Sequence, residues 1–429
     1  MTSSFWRGVE LHKKRGKKRR KLLFLSTMTE NSDNKLCRPL IHKPIRADWN
    51  ELNRLLMHYP LPPDLQYSYG TAGFRYDHSI LPPVMIRMGI LSALRSNSLK
   101  GGQSVGLMVT ASHNPENDNG IKLCDADGGM LHSSWERKAT DLANAKDPLS
   151  FLEMDTKDPI VVQVGRDTRS HSRFLAQLVI RTVVAMGGTC IDHGVVTTPQ
   201  LHYFVLRTNW HHVPNALICG GSGGGFEREY LEGMVASYVK LLQTKTKEDM
   251  QHSRTLLVDC ACGVGGPKIL LLKRILQRYE EEGMAMFEIK KTKVDQPRSP
   301  LVQLFPINLP NDGPLNDKCG AEFVQKQQSF PRVYSDLSFK EERSLDFSFV
   351  ASLDGDADRI VFHYKDKSGK LELLDGDKIS VLVSGFLKEE LVALGNVVPS
   401  AKKIRCGVVQ TAYANGSSSN FLKVSFVLL

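Results

Sequence analysis

The stretch Val105-Gly-Leu-Met-Val-Thr-Ala-Ser-His-Asn-Pro-Glu-Asn-Asp-Asn-Gly-Ile-Lys122 decides how the chain is read. Its apolar first half reads as a buried strand, and Pro115 breaks it, so Ser112 is expected on a tight loop at the strand end. Asn114-Pro115 and Asn119-Gly120 read as turn chemistry on either side of the serine, and Lys122 returns a positive charge close to it. A bare Ser-His dipeptide occurs often by chance, and the turn context is what lifts Ser112-His113 above that background. More than 200 residues downstream, a second strand-like run, Phe347-Ser-Phe-Val-Ala-Ser-Leu353, leads into Asp354-Gly-Asp-Ala-Asp-Arg359. Three carboxylates at alternate positions repel one another unless a cation sits among them.

Working outward, the region from Trp49 to about Thr208 alternates helix and strand patterns. Val84 to Leu94 has helical spacing, Ser104 to Val109 and Ile160 to Val164 read as strands, a helix is expected near Phe174 to Met186, and a further strand near Cys190 to Val195. Such alternation predicts an α/β fold with a parallel or mixed sheet. Asn209 to Gly225, with Gly220-Gly-Ser-Gly-Gly-Gly225, reads as a flexible connector before a helix at Glu227 to Leu242. It lacks the spacing and lysine of a nucleotide loop. A second α/β unit starts at Thr255-Leu-Leu-Val-Asp259, passes through Gly263-Val-Gly-Gly-Pro267 into a helix, and ends at the strand before Asp354. Gln325 to Leu345 reads as a polar loop insertion. A third unit opens at Asp375-Gly-Asp377, a helix cap, continues with a helix at Lys378 to Leu394, a strand at Cys406 to Val409 and a turn at Asn415-Gly416. The expected organisation is a basic disordered extension at 1–48, a serine-loop domain at 49–208, a metal-loop domain at 209–371 and a truncated third domain at 372–429.

The formal net charge of +10 suggests nucleic acid until it is located: residues 1–50 hold 13 Lys/Arg against 4 Asp/Glu, which accounts for +9 of it. The remainder is near neutral, so no nucleic-acid groove is expected. The run Lys13-Lys-Arg-Gly-Lys-Lys-Arg-Arg-Lys21 reads as a solvated tail. No apolar run approaches the roughly 18 residues of a membrane span, so no membrane partner and a cytoplasmic location are expected. Eight scattered cysteines contain no C-x-x-C pair, and Cys260-x-Cys262 is a poor zinc signal, so buried, inert thiols are expected.

A serine hydroxyl is a weak nucleophile without a base or a metal; His113 and the Asp354/Asp356/Asp358 set are the candidate helpers. The acidic run offers only hard oxygen ligands, which suits Mg²⁺. A phosphate on Ser112 supplies one more anionic ligand, completing a site for phosphoryl transfer. Arg359, next to the acidic run, and Arg75, in Gly70-Thr-Ala-Gly-Phe-Arg75, are candidate phosphate clamps.

Taken together and in order, Tyr69 to Arg75, Thr110 to Pro115 with Asp118 to Lys122, Gly165-Arg-Asp-Thr-Arg169, Thr197-Thr-Pro-Gln-Leu-His-Tyr203, Asp354 to Arg359 and Val408 to Gly416 resemble the α-D-phosphohexomutase superfamily, its N-acetylhexosamine branch most closely. The resemblance implies successive phosphohexomutase-type α/β domains with mixed sheets, and a phosphoserine at Ser112 that exchanges its phosphoryl group with a hexosamine phosphate. It implies interconversion of N-acetylglucosamine 6-phosphate and 1-phosphate through a bound bisphosphate, serving UDP-N-acetylglucosamine synthesis, in a protein expected to be a monomer. Asp354, Asp356 and Asp358 map onto the Mg²⁺ loop, Arg359 and Arg75 onto active-site positive charges, and Lys122 onto a lysine implicated in proton transfer.

The family's sugar-selecting loop and its fourth domain with the Arg-Pro-Ser-Gly-Thr phosphate loop find no match after about Asn420. From the sequence alone, then, the third domain is expected to be incomplete, the fourth missing, and the activity of these 429 residues low. Two other readings stand beside the mutase: a non-catalytic truncated form of it, and a phosphatase-like enzyme with an aspartate nucleophile. The serine motif argues against the latter.

Overall fold

The computed structural model of the protein describes residues 40–44, 46–70, 73–152, 158–210, 225–242, 255–289, 302–332, 334, 349–398, 400, 404, 406–410 and 414–426. The basic run at 13–21 and the glycine run at 220–224 lie outside them.

Two sheets carry the site. The first has six strands: β1 (Leu40–His42), β2 (Phe74–Asp77), β3 (Ser104–Val109), β4 (Asp118–Cys124), β5 (Val161–Arg166) and β6 (Thr189–Val195), in the order β1-β6-β5-β3-β4-β2. Strands β3, β5 and β6 run parallel, while β1, β4 and β2 are antiparallel to their neighbours. Leu40 to His42, expected to belong to a structureless extension, is thus an edge strand paired with Cys190 to Asp192.

Every residue of β3 is buried, as a central strand covered on both faces requires. Val105, Leu107 and Val109 belong to a core shared with α1 (Trp49–His58), α2 (Pro82–Ser98), α3 (Ser133–Ala143) and α4 (Ser172–Ala185). Met108 points to the opposite face, where Leu201 and Phe204 of α5 (Thr198–Trp210) and Phe226 of α6 (Gly225–Leu242) cover it. Helix α2 is buried on nearly all sides, so its apolar positions show no single stripe.

The second sheet, in the order β11-β10-β9-β7-β8, contains β7 (Thr255–Asp259), β8 (Gln303–Ile307), β9 (Val350–Leu353), β10 (Ile360–Lys365) and β11 (Leu371–Leu374). Here β8, β7 and β9 are parallel, and β10 and β11 complete an antiparallel meander. Leu231 and Val235 of α6 and Ile275 and Leu276 of α7 (Gly265–Ile289) cover one side. Ala321 and Val324 of α8 (Ala321–Gln327) pack with Val361, Leu371 and Leu373. Asp375 caps α9 (Gly376–Val397) by accepting from the Lys378 N–H at 3.0 Å, as expected of the Asp375-Gly-Asp377 pattern. Both sheets are mixed, as the fold class requires.

Three local expectations are corrected. Asn119-Gly120 is no turn: it lies in β4, because the Asn119 side chain satisfies its neighbour's backbone and a Cβ at position 120 would meet the Phe74 and Thr110 carbonyls at 2.2 and 2.8 Å. Cys406 to Val409 forms no strand; Val409 is 99% exposed, and no partner strand lies beside it among the described residues. Asn415 accepts from the Ser417 N–H and opens helix α10 (Gly416–Phe426), so Asn415-Gly416 is a helix start. Of the polar stretch Gln325 to Leu345, the first residues continue α8, and 335–345 lie outside the described residues. Among the described residues no helix is long and apolar enough to cross a membrane.

His193 on β6 is buried and hydrogen-bonded through Nε2 to the Gln163 Oε1 at 2.8 Å. Burial lowers its pKa from 6.5 to about 3. The unfolded chain therefore takes up this proton first as pH falls, and the stability is complete above about pH 6.5 and declines below it. We predict a loss approaching about 1.4 kcal/mol per pH unit from this group between pH 6 and 4. Urea midpoints measured across that range should show a shallower decline in His193→Gln.

Candidate active site

Ser112 sits directly beyond β3 with φ +53° and is buried. A left-handed conformation costs a serine about 1 kcal/mol or more, so surrounding bonds must hold it. They do. Its N–H donates to Thr110 Oγ1 at 2.9 Å, and the Asn114 N–H closes the turn onto the Ala111 carbonyl at 3.0 Å. From the second unit, Asn316 Nδ2 donates to the Ser112 and Asn114 carbonyls at 2.9 and 3.0 Å. Arg169, paired with Asp167, donates to the Asn114 carbonyl at 2.7 Å. Asp167 also accepts from Ser172 Oγ at 2.5 Å, which in turn accepts from Asn119 Nδ2 at 2.8 Å. The Gly165-Arg-Asp-Thr-Arg169 segment thus props the serine loop from beneath.

The acidic run follows β9 and turns through Ala357, φ +55°. Gly355 is required by close approach: a Cβ there would lie 2.6 Å from the Ser112 carbonyl oxygen. The result brings Ser112 Oγ within 2.6 Å of Asp354 Oδ2. Asp354 Oδ2 also accepts from Arg359 Nε at 3.1 Å, and its Oδ1 accepts from the Asp358 and Arg359 N–H groups, both at 3.1 Å. Burial, reinforced by Asp356 and Asp358, raises the Asp354 pKa to about 7 against the pull of Arg359 and Ser112. A carboxylate whose oxygens already accept four hydrogen bonds is not a free nucleophile, which disfavours the aspartyl-phosphatase reading.

One oxygen from each of Asp354, Asp356 and Asp358 falls within a cluster whose members are all within 4.8 Å of one another. Lys122, reaching up from β4, places Nζ 2.6 Å from both Asp356 Oδ2 and Asp358 Oδ2. Burial alone would push the lysine down, but the two carboxylates outweigh it and its pKa lies above the ordinary value. Burial likewise pushes Asp358 up, yet Lys122 holds it below the ordinary carboxylate range. Asp356 accepts in addition from Thr198 Oγ1 at 2.5 Å, and its backbone carbonyl receives the Thr198 N–H at 3.1 Å. Its Oδ1 is buried with no hydrogen-bond partner. A hard, all-oxygen donor set with an unsatisfied buried carboxylate oxygen fits a cation such as Mg²⁺.

His113 does not meet the serine hydroxyl. Its Nε2 faces Glu322 Oε1 at 4.0 Å, and burial followed by Arg359 lowers its pKa to about 4, so it is neutral at physiological pH. The carboxylate beside the Ser112 hydroxyl is Asp354 instead. Glu322, on α8, also binds Arg359 NH1 at 3.0 Å. Arg75 lies on β2 opposite Gly120, near enough to His113 to act on its charge, with no side-chain hydrogen bond or ion pair among the described residues. Sequence reasoning missed Thr198, Glu322 and Asn316. Thr198 lies in the conspicuous Thr197-Thr-Pro segment, whereas nothing near Glu322 or Asn316 marks them.

Residues 90–150 and 149–218 match the family "Phosphoglucomutase/phosphomannomutase, alpha/beta/alpha domain I", and 375–428 match "Phosphoacetylglucosamine mutase AMG1, domain III". The human phosphoacetylglucosamine mutase is 40% identical over 374 residues, covering 84% of this chain and 60% of that protein. The Saccharomyces cerevisiae enzyme is 35% identical over 396 residues, covering 88% and 65%. An N-acetylglucosamine-phosphate mutase crystallised in its apo form, a member of the alpha-D-phosphohexomutase superfamily, shares 32% identity over 88% of this chain and 75% of its own, with a TM-score of 0.67. The Aspergillus fumigatus N-acetylphosphoglucosamine mutase in complex with GlcNAc-6P and magnesium gives 32% identity, 88% and 64% coverage and a TM-score of 0.68. The chain belongs to the α-D-phosphohexomutase superfamily. It spans about 60% of the length of the curated animal relatives it matches.

The lysine bridge has a measurable consequence. Lys122→Met leaves buried, mutually repelling carboxylates without their cation, and we expect a loss of about 3–5 kcal/mol. Urea unfolding in the presence of a chelator reads this directly.

Proposed function

We propose that this chain carries the phosphoserine and metal-binding part of a phosphoacetylglucosamine mutase, acting on N-acetylglucosamine 6-phosphate and 1-phosphate. The observation that carries this reading is the 2.6 Å contact between Ser112 Oγ and Asp354, across 242 residues of sequence, at the edge of a three-carboxylate cluster.

Ser112, once phosphorylated, gives its phosphoryl group to a sugar hydroxyl, and the serine oxygen leaves as the hydroxyl proton is taken up. The resulting sugar bisphosphate returns its other phosphoryl group to Ser112, the serine proton replacing the one that the departing sugar oxygen takes up. Asp354, Asp356 and Asp358 would hold Mg²⁺, which supplies neutralisation of phosphate charge. Lys122, held as an ammonium between Asp356 and Asp358, passes a proton to the departing oxygen and recovers one from the attacking hydroxyl. Arg359 and Arg75 bind phosphate oxygens. N-acetylglucosamine 1-phosphate so formed feeds UDP-N-acetylglucosamine synthesis.

Incubation with glucose 1,6-bisphosphate followed by phosphopeptide mapping is expected to label Ser112 alone, with no label in Ser112→Ala. Phosphate on any other residue refutes the assignment. Mg²⁺ at about a hundredfold excess over its dissociation constant is expected to stabilise the chain by about 2.7 kcal/mol. Asp356→Asn should lose that increment in a thermal melt, whereas Lys122→Met should gain more from Mg²⁺ than the parent does.

A further inference from the structure

Asp259 closes β7, in register with Ser352 of β9 and Ile307 of β8. It is fully buried, and no ion pair neutralises it among the described residues. A carboxylate so placed must be held by hydrogen-bond donors, and Asp259 has four. Its Oδ1 accepts from Asn308 Nδ2 at 2.8 Å and from the Ala261 N–H at 3.1 Å. Its Oδ2 accepts from the Gly320 N–H at 2.7 Å and from Ser352 Oγ at 2.8 Å. The Ser352 hydroxyl gives its one proton to Asp259, so its 3.0 Å contact with His363 Nε2 is received from the ring. His363 is fully buried, burial lowers its pKa to about 4, and its Nδ1 has no hydrogen-bond partner. A neutral ring protonated on Nε2 accounts for all three facts.

Three of the four donors belong to segments that reach the serine loop. The Ala261 carbonyl receives the Asn316 N–H at 3.0 Å, and the Asn316 side chain holds the Ser112 and Asn114 carbonyls. Gly320 leads into α8, on which Glu322 binds Arg359. Its φ is +88°, and a Cβ there would lie 2.7 Å from the Ala261 Cβ and 3.0 Å from the Leu353 carbonyl oxygen, so only glycine brings this N–H to Asp259. Ser352 stands two residues before Asp354, whose Oδ2 meets the Ser112 hydroxyl.

We propose that Asp259 is a positioning residue for phosphoryl transfer: through Ala261, Gly320 and Ser352 its carboxylate sets Asn316, Glu322 and Asp354 against the serine loop. It acts through these segments, because both of its oxygens are taken up by their donors. His363 fixes the direction of the Ser352 hydroxyl and so belongs to the same network. Its consequence for catalysis rests on the mutase reading, whereas the positioning rests on the hydrogen bonds alone. In Asp259→Asn the amide turns one face against two donors, and either the Ala261 or the Gly320 N–H loses its acceptor.

The test compares the 429-residue protein with D259N, S352A, H363Q and H363L, each under conditions where urea titration shows it folded. The maximal rate of Ser112 labelling by glucose 1,6-bisphosphate with Mg²⁺ is expected to fall about 10–100-fold in D259N and S352A, as when residues that orient a metal site are removed. H363Q, whose side-chain amide presents an N–H in place of the ring Nε2–H, should stay near the parent rate, and H363L should fall with S352A. Equal losses in H363Q and H363L mark a packing role and overturn the proposal, as does labelling of D259N at the parent rate. Amide hydrogen exchange at Asn316 and Gly320 should quicken in D259N while β3 stays protected; unchanged exchange at both amides overturns the positioning. S352A carries the same comparison where D259N does not fold. A parent protein that takes up no label refutes the mutase reading, and the exchange measurement then decides the positioning by itself.

Discussion

The ammonium of Lys122, shared between Asp356 and Asp358, is the interaction on which the site depends. Carboxylate oxygens within 4.8 Å of each other repel by about 3–4 kcal/mol per pair at an effective dielectric near 20. One ordinary hydrogen bond returns roughly 1 kcal/mol, too little to offset that. A cation among them, or a proton on Asp354, is therefore a condition of folding as well as of chemistry. The structure uses both, with Lys122 on one side of the cluster and an elevated Asp354 pKa on the other. Lys122 belongs to the first sheet and the aspartates to the second, so the same contact joins the two units.

That junction is reinforced by backbone contacts that leave no room for side-chain growth. Gly355 abuts the Ser112 carbonyl, Asn316 spans to the serine turn, and the Thr198 amide caps the Asp356 carbonyl. The positive φ of Ser112 is a product of this scaffold rather than of local sequence preference. It aims the hydroxyl at Asp354 and away from His113.

Much of this was legible in the chain. Buried parallel strands such as Ser104 to Val109 announce themselves as unbroken apolar runs, and an alternating Asp-Gly-Asp-Ala-Asp pattern has few uses other than a cation site. Asp375 was readable as a cap because capping depends on residues within one turn of each other. Where the reading failed, the deciding neighbour was distant in sequence. Asn119-Gly120 has turn composition, yet the close backbones of Phe74 and Thr110 make the glycine a strand requirement. Ser112 and His113 are adjacent in the chain, and adjacency suggested partnership; the tertiary fold pairs the serine with Asp354 and the histidine with Glu322. Cys406 to Val409 has strand composition, but a strand needs a partner to bond with, which periodicity alone does not supply.

The distance in sequence between the two halves of the site also sets an order of events at the ribosome. Ser112 and Asp354 are 242 residues apart. At a synthesis rate of roughly 5–20 residues per second, the serine loop emerges some ten to fifty seconds before the carboxylate that satisfies it. The six-stranded sheet can assemble in that interval, since all of its strands precede residue 196. Throughout it, Lys122 is a buried-side charge awaiting a counter-ion and the serine turn lacks Asn316. The nascent first unit thus carries the serine turn and the Lys122 ammonium without their partners until the second unit is made.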